Sequence, residues 1–226
     1  MEKRLVITVD GPAGAGKSTV SKILARKLSY IYLDTGALYR AFACKVAEEG
    51  IPADDEKRLS GLCAGINVSL KSVNSNISIL VDDEDVTEKI RTQEIGMLAS
   101  KVSAVPVVRK TLLSIQRETG KNGGIVAEGR DMGTVVFPDA DFKFFLNASV
   151  SERSRRRFTE LVEKGESANF EEVKRGLIMR DRQDSEREIA PLKPSKDSVV
   201  IDSTGMSITN VVEKMMKVIK KNSIFR

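Results

Sequence analysis

A chain of 226 residues with 41% hydrophobic and 31% charged side chains suits one large α/β domain, or a core domain with inserts. The net charge of +5 (37 Lys and Arg against 32 Asp and Glu) is a mild excess that suits a phosphorylated ligand. There is no histidine, which excludes a His-centred triad and a His-ligated zinc and favours chemistry that needs mainly positioning and charge stabilisation, such as phosphoryl transfer.

No apolar run approaches the ~18 residues of a transmembrane helix, and the N-terminal apolar stretch is too short for a signal peptide. Cys44 and Cys63 match no metal spacing, so free thiols in a reducing cytoplasm are expected.

In chain order, "LVITV" (5–9) reads as a strand. Val20, Ile23, Leu24 and Leu28 then fall at i, i+3, i+4 and i+8, which predicts a helix over 17–28. A strand at 30–33 leads into a helix over 36–49, stopped by Gly50. Residues 66–87 alternate with period two around "VNSNI" and predict an antiparallel hairpin with an Asn-rich turn, within a subdomain at roughly 62–90. Helices are expected at 92–105 and 106–118, the second opened by Pro106. Strands at 124–127 and 135–137 bracket a charged turn, and another strand lies at 142–146. Charged helices over 151–164 and 170–184, a strand at 198–201 and a last helix from about Ser207 complete the chain. Strands alternating with helices argue for a parallel sheet covered on both faces.

The first strand runs into "DGPAGAGKST", with Gly11, Gly16, Lys17 and Ser18 in the G-x-x-x-x-G-K-[ST] pattern and an amphipathic helix behind it. Its glycines let backbone N–H groups turn inward around phosphate oxygens, and the helix N-terminus adds about half a positive charge. Gly11, Pro12, Ala13, Gly14, Ala15, Gly16, Lys17, Ser18 and Thr19 are therefore the candidate ATP-binding residues, with Ser18 a ligand for Mg²⁺.

Other anion sites are suggested more weakly. "LDTGALYR" (33–40) places Asp34 at a strand end and Thr35 at a helix N-cap, with Tyr39 and Arg40 a turn further on. It fits either a capped helix with a surface arginine or a ligand site. Arg153, Arg155, Arg156 and Arg157 crowd one helix; pairs such as Glu152–Arg156 and Arg156–Glu160 would solvate it, and a polyphosphate would relieve its repulsion. Arg180, Asp181, Arg182, Asp184 and Arg187 form a second cluster. Asp202, Ser203 and Thr204 are expected to cap the last helix.

Together, "DGPAGAGKST", "LDTGALYR", "IRTQE", "GRDMGTVVFPDA" and "RDRQDSEREIAPL" closely resemble the bacterial cytidylate kinases, a family of nucleoside monophosphate kinases, from about Val6 to the last helix. The resemblance implies a P-loop NTPase fold: a five-stranded parallel sheet flanked by helices, an antiparallel insert in the monophosphate-binding region and a helical lid. It implies a core of 1–35, 106–150 and 188–226, a monophosphate-binding region over 36–105 and a lid over 151–187. It implies transfer of the γ-phosphoryl group of ATP to CMP or dCMP, with Mg²⁺.

By the same resemblance, Arg40, Arg130 and Arg187 would hold the acceptor phosphate with Tyr39, and Thr35 would line that site. Ser100, Arg109 and Asp131 would read the cytosine edge and Asp184 the sugar hydroxyls. Lys17, Arg130, Arg153, Arg157 and Arg187 would be the catalytic charges, Arg153 and Arg157 from the lid. The resemblance assigns Glu128 no role, and two stay open for it: organising Arg130 or the metal's water shell. A cytoplasmic monomer without nucleic-acid or membrane partners is expected. Two alternatives are another small-substrate P-loop kinase, acting on UMP, AMP or a non-nucleotide acceptor, and a nucleic-acid-dependent ATPase. Acceptor assays separate the first, and salt-dependent stimulation by DNA or RNA the second.

Overall fold

The structure, a computed structural model, describes residues 4–73 and 76–223. Its elements are β1 (Val6–Asp10), α1 (Lys17–Leu28), β2 (Ile31–Asp34), α2 (Thr35–Glu48), α3 (Glu56–Gly65), β3 (Val68–Val73), β4 (Asn76–Val81), β5 (Glu84–Asp85), α4 (Gln93–Val102), α5 (Pro106–Gly120), β6 (Ile125–Gly129), β7 (Phe142–Asn147), α6 (Val150–Glu163), α7 (Phe170–Glu186), β8 (Val199–Asp202) and α8 (Ile208–Ser223). They form two compact units, 1–33 with 123–226, and 34–122.

The first unit carries a five-stranded sheet in the order β2-β6-β1-β7-β8. β1 pairs in parallel with β6 and with β7, and β7 in parallel with β8. A central parallel strand is covered on both faces, so burial does not alternate along it; Ile7 and Val9 are fully buried, as are Ile125 and Val126 on β6. Val20, Leu24 and Ala25 of α1 and Val211, Val212, Met215 and Ile219 of α8 complete this core with Phe144, Leu146 and Ile201. Burying each such aliphatic side chain contributes about 1.5–3 kcal/mol. The chain passes from β1 to the sheet edge at β2 and returns beside β1 at β6. Such a switch in strand order opens a crevice at the strands' carboxyl ends.

The second unit packs α2 against α4 and β4, and α3 against α5. Leu38, Phe42 and Val46 form the buried stripe of α2. α5, opened by Pro106 at its first turn, belongs to this unit, whereas the resemblance grouped 106–150 with the core. β3, β4 and β5 form the expected antiparallel insert. The turn between β3 and β4, at Asn74 and Ser75, lies outside the described residues.

Three local expectations are corrected. Residues 135–137 are not a strand: Met132–Val136 is a π-helical turn, with the Val136 N–H bonded to Asp131 O and the Phe137 N–H to Met132 O. β6 already lies between β2 and β1, so a following strand has no adjacent edge to join. Thr35 is not the cap of α2 but its first residue; Asp34 is the N-cap and accepts from the Ala37 N–H at 3.0 Å. The last helix is capped by Ser207, whose hydroxyl accepts from the Asn210 N–H, and not by residues 202–204. The helix at 56–65 was not expected, because it buries only Leu59 and shows little periodicity.

Candidate active site

At the carboxyl end of β1 the chain enters the loop from Gly11 to Gly16 and then α1. Gly11 has φ +148°, and a Cβ there would lie 2.0 Å from Leu146 O on neighbouring β7. Only glycine lets the backbone pass so close. Lys17 is buried and curls back, its Nζ donating to Pro12 O at 2.9 Å. Burial first, then the Arg130 charge, push its ammonium down to about 7, and Glu128 works against that shift. α1 has no acidic residue in its first turn, so its N-terminal dipole faces no competing carboxylate there. A cleft of about 750 Å³ opens over Gly14–Val20, bordered by Arg155, Arg156, Arg157, Ser203 and Met206.

The four arginines of α6 separate into different jobs. Arg153, 4% exposed, donates to Ala13 O and Ala148 O and pairs with Asp181 at 2.7 Å. It clamps the loop to α7. Arg156 bonds Ala15 O, both oxygens of Ser203 and the Glu152 carboxylate. The Ser203 hydroxyl itself lies 3.3 Å from Ala15 O. Arg157 pairs with Glu160, which also takes Lys164, so the expected Arg156–Glu160 pair is replaced by Arg157–Glu160, while Glu152–Arg156 forms as expected. Arg155 is exposed and holds Glu152. Arg153 and Arg157, expected to act together, thus differ: one is a buried strut and the other borders the cleft.

The charged turn after β6 is built from buried groups. Arg130 Nε donates to Asp184 at 2.7 Å. Burial opposes the Arg130 charge, but Asp184, then Glu128 and Asp181, more than offset it and hold the guanidinium above its ordinary value. The same pairing outweighs burial at Asp184 and holds that carboxyl below the usual range. Glu128, 3% exposed, accepts a hydrogen bond from the Tyr32 hydroxyl. Arg187, just past α7, donates to Ala190 O, and its Nη2 stands 3.8 Å from Asp131 Oδ1. Asp10 supports this turn from β1: its two carboxylate oxygens accept from the Met132 N–H at 2.9 Å and the Gly133 N–H at 2.8 Å. The structure therefore brings Arg130 to Asp184 and Asp131 to Arg187.

The remaining candidates lie in the second unit. Arg40 pairs with Asp34 at 2.9 Å. Tyr39 is buried under the Arg109 guanidinium, 5.7 Å from the ring centroid, a favourable cation–π separation. Arg109 also donates to Ser103 O at 3.0 Å. Ser100 sits on α4, and its buried hydroxyl has no hydrogen-bond partner among the described residues. Thr35 is 2% exposed.

Sequence reading missed Asp10 and Tyr32, named Asp181 only as part of a charged cluster and Ser203 only as a helix cap, and left Arg156 between a solvated helix and a polyphosphate site without its partners. Asp10 is the first residue of "DGPAGAGKST", so its position was visible and its partner was not. Arg156 and Ser203 meet the loop only through the folding of α6 and β8 against β1.

The family model described as cytidylate kinase matches residues 7–221. The cytidylate kinase of Citrifermentans bemidjiense is 49% identical over 220 residues, covering 97% of this chain and 94% of its own. That of Carboxydothermus hydrogenoformans is 46% identical over 219 residues, covering 96% and 99%. Among solved structures, a gluconokinase from Sinorhizobium meliloti 1021 aligns with TM-score 0.50 at 16% identity, covering 100% of this chain and 98% of that one. An uncharacterized protein from Eubacterium ventriosum ATCC 27560 aligns with TM-score 0.53 at 14% identity, covering 97% and 99%. At such identities these two bear on the fold alone. With the phosphate loop in place at the end of β1 and the match spanning nearly every element, the chain belongs to the cytidylate kinase family.

Proposed function

We infer that this chain transfers the γ-phosphoryl group of ATP to CMP or dCMP, giving ADP with CDP or dCDP. The observation that carries this reading is the phosphate loop, with Lys17 buried and turned back over it, in a chain of the cytidylate kinase family.

An oxygen of the acceptor monophosphate attacks the γ-phosphorus, and the bond to the ADP oxygen breaks. The attacking oxygen is already ionised, so no strong general base is needed, which suits a chain without histidine. The obstacle is repulsion between two anions. Arginines relieve it, because they remain charged in a dry site and grip phosphate in two places. A single arginine on the transferring group can contribute on the order of 10³–10⁵ in rate, or about 4–7 kcal/mol.

In this reading the N–H groups of residues 11–19 hold the donor phosphates with Lys17. Arg40, Arg130 and Arg187 hold the acceptor phosphate with Tyr39 and Thr35. Ser100, Arg109 and Asp131 read the base, and Asp184 takes the sugar hydroxyls. Arg157 reaches the donor phosphates from the rim of the cleft, and Arg153 serves by holding the loop. A carboxylate at Asp131 can accept from the exocyclic amino group of cytosine. Uracil presents a carbonyl there, and the unpaired, mutually repelling oxygens cost about 1–3 kcal/mol. The buried, unpartnered Ser100 hydroxyl supports a ligand contact at that position.

Mg²⁺ fits the donor set. Ser18 offers a hard hydroxyl oxygen at the rim of the cleft, and among the described residues there is no cluster of three or more carboxylate, histidine or cysteine ligands. A hydroxyl plus nucleotide phosphates and water suits Mg²⁺, which takes few protein ligands. When bound, the ion neutralises charge on the donor phosphates. We place the activity in a cytoplasmic monomer acting on free nucleotides.

A coupled assay measuring ADP release with ATP and each monophosphate in turn tests this. Turnover with CMP and dCMP well above UMP and AMP is expected. Preference for AMP or UMP would overturn the cytidine assignment, and stimulation of hydrolysis by DNA or RNA would overturn the kinase reading itself.

A further inference from the structure

Asp131 occupies the N-cap position of the π-helical turn Met132–Val136, with φ −145° and ψ 22°. An aspartate there ordinarily folds its carboxylate back onto the first N–H groups of its own helix. Asp131 makes no such side-chain cap bond. Of the N–H groups it would take, those of Gly133 and Thr134, the first is held instead by Asp10 Oδ2, while Asp10 Oδ1 holds the adjacent Met132 N–H. The Asp131 carboxylate points to Arg187.

The geometry points to Asp10 as a positioning residue for acceptor selection: by capping the 132–136 turn in place of Asp131, it leaves the Asp131 carboxylate directed at the substrate base.

Other features agree. Asp10 is the last residue of β1 and pairs in register with Gly129, the last residue of β6. Its side chain therefore reaches across the end of the neighbouring strand to the turn that follows. The turn sits close against the sheet there, since a Cβ on Gly133 would lie 3.0 Å from the Thr8 hydroxyl and 3.2 Å from the Lys143 side chain. Asp10 is 5% exposed. Burial pushes its carboxyl up to about 6, while the Gly133 and Met132 N–H groups, and more weakly Lys17, pull it down; the nearby Asp131 charge adds to the rise.

The inference rests on the reading of Asp131 as the base-contacting carboxylate, and its test separates the two. In Asp10→Asn one oxygen becomes an NH₂ group that faces a backbone N–H. The preference for CMP over UMP in kcat/KM should fall on the order of tenfold, the effect of one lost hydrogen bond to a charged group. The KM for ATP should change far less than the KM for CMP, and amide exchange at 132–136 should speed up. In the double variant with Asp131→Ala, the preference should fall no further than in Asp131→Ala alone, as expected for residues acting through one contact.

If Asp131→Ala erases the preference and Asp10→Asn leaves it intact, the positioning role is overturned and the base reading stands. If Asp131→Ala leaves the preference intact, the base reading fails and takes this inference with it. If the losses add in the double variant, Asp10 acts by another route and the inference is overturned. Should Asp10→Asn not fold, Asp10→Ser, smaller and with one acceptor, carries the same comparison.

Discussion

Two strand-to-helix turns stand side by side at the carboxyl ends of β1 and β6, where Asp10 and Gly129 are in register. The first, the phosphate loop, is written locally: glycines set its path, and Lys17 closes it onto Pro12 O five residues back. The second, after Gly129, is held by a carboxylate 122 and 123 residues away in sequence. The first recognises a feature shared by all nucleoside triphosphates, so a local motif sets its path, which Arg153, Arg156 and Ser203 then hold from outside. In the proposed reading the second discriminates between acceptors, and discrimination needs side chains fixed from several directions.

Predictions that probe this contrast follow in order of expected size. Lys17→Ala should reduce turnover with every acceptor by about 10³ or more, the scale of losing one preorganised charge on the transferring group; equal KM for CMP with collapsed kcat is the expected kinetic signature. Gly11→Ala should destabilise the fold by about 3 kcal/mol or more, because the added Cβ meets Leu146 O at 2.0 Å; a thermal melt measures it, and an unchanged melting temperature would mean the loop is held less tightly than its local sequence suggests. Asp131→Ala should erode CMP over UMP selection by about 1–3 kcal/mol while sparing the KM for ATP. Equal loss with both acceptors would place its role in stability.

Two smaller effects sharpen the same point. Asp34→Ala should cost about 1 kcal/mol of stability through loss of the α2 cap, in addition to its Arg40 pair, and Thr35→Ala should lose no cap. The Lys17 ammonium, lowered to about 7 by burial and by Arg130, should regain its proton when triphosphate binds. The bound state prefers the charged form, so above pH ~7 binding takes up a proton and ATP affinity falls as pH rises. Calorimetric titrations in buffers of differing ionisation enthalpy would show that uptake; proton release would reverse the sign and contradict it.

The five sheet strands and most helices were legible because each buries a face, and burial imposes a period. Central β1 and β6 read as continuous apolar runs, and the stripe of α1 predicted its bounds of 17–28. The elements misread are those with little buried surface or no sheet edge to join: α3, which buries only Leu59, and residues 135–137, whose β-branched pair suggested a strand. The candidate residues were legible by type, since arginines and carboxylates at strand ends are costly without a partner. Their assignments were less so, and Arg153 and Arg157, one turn apart, proved to face different tasks.

By itself the sequence determined that this chain binds a triphosphate, because a strand, a glycine loop and a helix with Lys17 at its start form a phosphate cradle from contiguous residues. The family, and with it the cytidine acceptor, followed from a resemblance carried by several motifs taken together. Only the tertiary structure decided how those motifs are held: Asp10 on the turn at 132–133, Asp184 on Arg130, Tyr32 on Glu128, and Arg156 with Ser203 on the loop at Ala15. Such contacts join residues far apart in the chain. Their energy depends on burial and on partners that exist only after the sheet has formed, and no local pattern encodes them.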